Sequence, residues 1–145
     1  MGRVYTFRAQ GTPTTAITLL EITAVASKPF VVLRAWLSQI TEETSKQIGV
    51  KILRKTATVT GTACTAVLHN TNDAAAGATG KYSASAEGTD GAIIIADGFN
   101  ALNGWLYFPV PEERIVVQDD EIIALKLIET PTAGTFEWGM TIEEQ

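Results

Sequence analysis

Apolar and polar residues alternate with a period of two along much of the chain, the pattern of an extended segment with one face on a core and one toward solvent. From Phe136 to Ile142, the apolar Phe136, Trp138, Met140 and Ile142 interleave with Glu137, Gly139 and Thr141. Gln47 to Arg54 sets Ile48, Val50 and Ile52 on one face, with Lys51 and Arg54 on the other or at its end. Val31, Leu33, Ala35 and Leu37 do the same beside Arg34 and Ser38. Branched and aromatic residues also mark as strands Arg3 to Ala9, Thr15 to Ala24, Ala63 to Leu68, Trp105 to Val110, Arg114 to Val117 and Ile122 to Ile128. No long stretch carries a 3.6-residue stripe behind a cap, and Thr41 to Lys46 has room for one helical turn at most.

Turn-forming groups separate these segments: Gly11-Thr12-Pro13, Ser27-Lys28-Pro29, Gly61, Gly88-Thr89-Asp90-Gly91, Asp97-Gly98, Asn103-Gly104, Pro109-Val110-Pro111 and Pro131-Thr132-Ala133-Gly134. Short strands at such spacing predict an all-β fold, a single antiparallel β-sandwich or jelly-roll barrel over residues 1–145 with about eight to ten strands. Asn70 to Ala86 stands apart. Small residues such as Ala74, Ala75, Ala76 and Gly77 bury little area, so this stretch is expected to be an exposed loop, a candidate contact arm or a plain surface loop.

An apolar share of 46% and a charged share of 19% belong to a chain that folds around a core. Apolar runs such as Ala92 to Ala96 are far shorter than the roughly twenty residues of a membrane span. The chain opens directly on an alternating pattern, without the apolar region and cleavage site of a secretory signal, so export by that route is not expected. Met-Gly-x-x-x-Thr at its start satisfies the loose myristoylation pattern, but Val4 to Phe7 read as strand. A net charge of −5 argues against nucleic acid, whose binding rests on clustered Lys and Arg.

The charge is divided along the chain. Up to Thr62 the bases Arg3, Arg8, Lys28, Arg34, Lys46, Lys51, Arg54 and Lys55 outnumber Glu21, Glu42 and Glu43. From Glu112 onward nine acids face only Arg114 and Lys126. Such charges either pair within the fold or stay hydrated, or opposite-signed edges meet between neighbouring subunits.

Catalytic constellations were sought in the same residues. Cys64, the single cysteine, rules out an internal disulfide or a cysteine zinc cluster and reads as a buried thiol. The single histidine, His69, lies five residues on, which on a continuous strand puts the two on opposite faces and forms no nucleophile–base dyad. Glu112-Glu113 and Asp119-Asp120-Glu121 sit beside turns, where adjacent side chains diverge and no apolar pocket raises a pKa. The second cluster also lacks the spaced ligands of a calcium loop. Gly77 to Lys81 fails as a phosphate loop, because Ala75 stands at the leading glycine and Tyr82 follows the lysine. Trp36 shares the parity of Arg34 and Ser38, which turns it outward, with packing over a sheet edge as the plain alternative. No catalytic, cofactor or metal residue is therefore assigned. The candidate protein-contact residues are Trp36, Asn72, Asp73, Tyr82, Glu112 and Glu113.

Several segments, read in order, carry a resemblance. They are Val31 to Gln39, Ile52 to Lys55, Asn72 to Gly77, Ser85 to Thr89, Asp97 to Trp105, Pro109 to Val117 and Ile123 to Leu127. Together they resemble short β-rich structural proteins of tailed bacteriophages, and among those an acidic, cysteine-poor sandwich is most similar to capsid decoration (cement) proteins. The resemblance implies a non-enzymatic virion component made in the host cytoplasm. It would sit on the outer capsid surface as a homo-oligomer, a trimer favoured, and its partners would be itself and the major capsid protein. The alternative is a carbohydrate- or receptor-binding β-sandwich of a phage tail or fibre that stacks a glycan on Trp36 or Tyr82. No site residue is carried over from the resemblance.

Overall fold

A computed structural model describes residues 2–41, 45–129, 131 and 134–145. Its strands are β1 (Arg3–Gly11), β2 (Thr18–Thr23), β3 (Phe30–Gln39), β4 (Gln47–Ala57), β5 (Thr60–Cys64) and β6 (Val67–Leu68). They continue as β7 (Thr79–Ala86), β8 (Thr89–Asn100), β9 (Trp105–Tyr107), β10 (Val116–Val117), β11 (Ile122–Leu127) and β12 (Phe136–Glu144). A single 3-10 turn, Pro111–Glu113, separates β9 from β10. The expected helical turn at Thr41–Lys46 and the Pro131–Gly134 turn fall partly outside the described residues.

The strands form two antiparallel six-stranded sheets, as a β-sandwich requires. Sheet A has the order β10-β3-β12-β1-β6, with β9 also paired to β3, and sheet B the order β5-β7-β2-β11-β4-β8. Between them lies one apolar core whose largest fully buried side chains include Trp138, Tyr5, Phe7, Phe30 and Phe136 from sheet A. Leu20, Ile22, Ile52 and Ile123 meet them from sheet B. The alternation of β12 works as read: Phe136, Trp138, Met140 and Ile142 are buried in that core, and Glu137 and Glu143 are half-buried.

Twelve strands among the described residues exceed the expected eight to ten, for three physical reasons. The stretch expected to be a loop up to Ala86 is β7 from Thr79 on, hydrogen-bonded between β5 and β2. Its small residues reflect close approach rather than exposure, since a Cβ on Gly80 would stand 2.6 Å from Cδ1 of Phe7. The second missed strand, β8, is an edge strand whose pairing with β4 shifts register at three places, so no clean alternation marks it. Finally, Ala63 to Leu68 is two strands rather than one, with the chain passing from sheet B to sheet A between Cys64 and Val67.

On the outer face of sheet A, Trp36 lies opposite Gly139, half-buried. A Cβ on Gly139 would meet Cη2 and Cζ2 of Trp36 at 2.5 Å and the backbone oxygen of Phe7 at 2.7 Å. The backbone contact cannot move aside without disturbing the β1–β12 ladder. Gly139→Ala should therefore destabilise the protein by about 1–3 kcal/mol, the usual cost of overpacking. A shift of the urea midpoint reads this, and an unchanged midpoint would mean that Trp36 is not wedged against that glycine.

Candidate functional site

Sheet B contains a crossing that brings distant polar residues together. β4 and β5 are consecutive in the chain yet lie on opposite sides of the β2–β11 pair, as do β7 and β8. Because β4 pairs with β8 and β5 with β7, the two connections travel as one ribbon, with Ala57 opposite Thr89 and Thr60 opposite Ala86. The inner face of the sheet is filled by the core, so the ribbon passes over the outer face, across β2 and β11. Beneath it, Leu19 has no partner in β11, a bulge that lets both Leu19 and Leu20 join the core while Thr18 and Glu21 meet the ribbon.

Burial under the ribbon obliges every polar group there to find a partner. The Glu21 carboxylate, 1% exposed, accepts hydrogen bonds from the Thr58 hydroxyl and, at 3.0 Å, from the Val59 amide. Lys81 secures the same loop by donating to Thr58 Oγ1 and the Val59 carbonyl. The Lys55 side chain is wholly removed from solvent and its ammonium lies 2.8 Å from Asp90 Oδ1 and 3.1 Å from Glu87 Oε2. Lys126 lies 2.8 Å from the other Asp90 oxygen and 3.3 Å from Glu87, and Lys51 stands 3.6 Å from Asp90. Glu87 also receives the amide and hydroxyl of Thr18.

Burial pushes the Asp90 carboxyl up, but the bonds and charges of Lys126 and Lys55 outweigh it and hold the group at about 2. The same competition leaves Glu87 below its ordinary value: burial raises it, while Thr18, Lys55 and Lys126 lower it further. Burial works against the charged Lys126, and its two carboxylate partners more than offset it, so its pKa is raised. Glu87 and Asp90 each have both oxygens engaged, so the cluster is built as a clamp between ribbon and sheet.

The remaining candidate residues are spread over the surface. His69 is exposed and its Nε2 lies 2.7 Å from the Thr6 hydroxyl. Cys64 is buried, with its thiol donating to the carbonyl of Arg8, and burial pushes that thiol up against the opposing effect of the bond. These two side chains thus engage different residues of β1. Asp119 accepts from the amide of Ser27, and Glu121 from Arg54 and the amide of Gln118, so that acidic cluster ties turns together. Among the described residues, no group of three or more His, Cys, Asp or Glu side chains could hold a metal ion.

Of the six contact candidates, Trp36 lies on the outer face of sheet A with the Arg34 guanidinium over its ring at 5.0 Å. Tyr82 is half-buried and packs against the core rather than standing free. Asn72 and Asp73 belong to a tight turn in which the Asp73 amide donates to the Asn70 carbonyl and the Asn72 amide to Asn70 Oδ1. Asp73 also helps to line an open pocket of about 370 Å³ with Gly2, Arg3, Val4, His69 and Asn70. Glu112 and Glu113 are exposed on the 3-10 turn, and the Glu113 carbonyl accepts from the Tyr107 hydroxyl.

A larger feature escaped the sequence reading. Among the described residues, seven of the ten large apolar side chains left exposed fall between residues 93 and 116: Ile93, Ile94, Leu102, Leu106, Phe108, Val110 and Val116. They lie along the side of the sandwich where the edge strand β8 of sheet B meets the edge strands β9 and β10 of sheet A, with Leu106 opposite Trp36 on the outer face of sheet A and Ile93 opposite Leu53 in sheet B. Trp105 Nε1 donating to Asp97, and Arg54 donating to the Val116 carbonyl, bridge the two sheets there. The run Ala92 to Ala96 was the one signal in the sequence. No family model, curated protein or solved structure matches this chain.

Because its pKa is depressed, Asp90 adds stability above the ordinary carboxylate range, and this is lost as pH falls toward about 2. Asp90→Asn should cost about 1–3 kcal/mol at neutral pH by leaving Lys55 underpaired, and should flatten the loss of stability between pH 4 and pH 2.5. Urea unfolding at pH 7 and across that range gives both quantities. A variant indistinguishable from wild type at either end would remove Asp90 from the clamp.

Proposed function

We propose that this chain is a non-enzymatic virion structural protein of a tailed bacteriophage, a capsid decoration protein that associates with itself, a trimer favoured, and binds the major capsid protein on the outer shell. The observation that carries this reading is the apolar flank of β8, β9 and β10. Large exposed apolar patches on a β-sandwich suit adhesion to other protein surfaces. The ion pairs that join distant strands, such as Lys55 with Asp90 and Arg54 with Glu121, support it by giving the rigidity that a shell component needs. The glycan-binding alternative needs the ring face of Trp36, over which Arg34 lies, or that of Tyr82, which packs against the core.

Light scattering behind size-exclusion chromatography should give a mass that is a multiple of 15.5 kDa. Co-sedimentation should place the protein on expanded phage capsids and not on unexpanded ones. A strict monomer that also stays in the supernatant with expanded capsids would sink the proposal, and glycan-array binding lost on Trp36→Ala would replace it with the receptor-binding alternative.

A further inference from the structure

We propose that the apolar flank of one copy docks head-to-tail onto the opposite, β1–β6 edge of a second copy, with Phe108 entering the pocket beside His69. This rests on the reading above that the chain associates with itself. The two surfaces lie at opposite ends of sheet A, since β9 and β10 pair with the outer side of β3 and β6 pairs with the outer side of β1. Within one molecule they cannot meet.

The donor flank is shaped for side-chain packing rather than for strand addition. Pro109 and Pro111 follow β9 and remove the amides that a neighbouring strand would need, and the register shifts of β8 break its ladder. Among the described residues Phe108 is the most exposed large apolar side chain, at 72%, with Leu106 next at 63%. Glu112 and Glu113 stand exposed at its rim, and neither carboxylate has an ion-pair partner among the described residues.

The acceptor edge is complementary in charge and in form. β1 exposes Arg3, which has no ion-pair partner among the described residues, while the exposed Arg8 further along is held by Glu137, and β6 exposes Val67 at 54%. Beside them opens the 370 Å³ pocket, large enough for one aromatic ring and lined by Gly2, Arg3, Val4, His69, Asn70 and Asp73. The acidic rim thus meets Arg3 while the apolar knob meets Val67 and a cavity. A contact between two different patches is heterologous, and it closes into a ring when the rotation per copy allows.

A heterologous joint makes a prediction that a two-fold joint does not. Phe108→Glu disables the donor surface alone and Val67→Glu the acceptor surface alone, and both positions are exposed enough for thermal unfolding to confirm an intact fold. Each variant should be monomeric, or associate at least tenfold more weakly than wild type, by light scattering. Mixed in equal amounts they should form a species of two chains and nothing larger, because one intact donor and one intact acceptor remain.

Four outcomes would overturn the inference. If wild type assembles and neither substitution weakens it, another surface joins the copies while the decoration reading stands. If both weaken it but the mixture stays monomeric, the joint is not head-to-tail. A monomeric wild type that binds expanded capsids only with Phe108 intact would give the flank to the capsid protein instead. A monomer that binds no capsid removes this inference and the proposed function together.

Discussion

A lysine ammonium is held out of water only where carboxylates stand against it, and the fold of sheet B turns on that condition at Lys55, which is buried beneath the half-exposed carboxylates of Glu87 and Asp90. Removing either acid would leave charge in a low-dielectric layer, so Lys55, Glu87, Asp90 and Lys126 keep the β4–β5 and β7–β8 connections pressed on the sheet. With the ribbon in place, the outer surface of β2 and β11 is closed: Thr18 and Glu21 are buried although they face away from the core. The two margins of the sandwich differ. One presents exposed apolar side chains of β8, β9 and β10 with an acidic rim, the other Arg3 and a cavity.

Much of this architecture is legible in the sequence. Where a strand has one buried face, as in β12 and β4, the alternation of residues names the strand and its inner face. The same parity argument places Trp36 on the outer face of sheet A. What it does not reveal is that Gly139 makes room for the indole, because that pairing joins residues over a hundred positions apart. β7 was hidden because Gly80 is small for Phe7, a partner in the other sheet. Smallness reads as looseness until that neighbour is known.

The clamp was illegible for a related reason. Glu87 and Asp90 look like turn residues, and Lys55 and Lys126 like solvated strand residues. Only the topology, which carries one turn across two strands, brings the four together. Glu112 and Glu113 could be marked as exposed acids from their turn, but the flank they border is assembled from three strands of two sheets. No local window contains it. Charge division along the chain points toward paired edges, and in the fold part of that charge is spent internally, as in Arg8 with Glu137 and Arg54 with Glu121.

The placement of β12 has a bearing on biosynthesis. It occupies the centre of sheet A, paired on one side with β1 from Arg3 to Gly11 and on the other with β3. During translation β1 and β3 emerge more than ninety residues before the strand that must separate them. Sheet A therefore stays open until β12 has emerged, so its closure waits for the last of its strands. Nascent chains expose two unsatisfied strand edges throughout that interval, the kind of edge that templates mispairing with other chains.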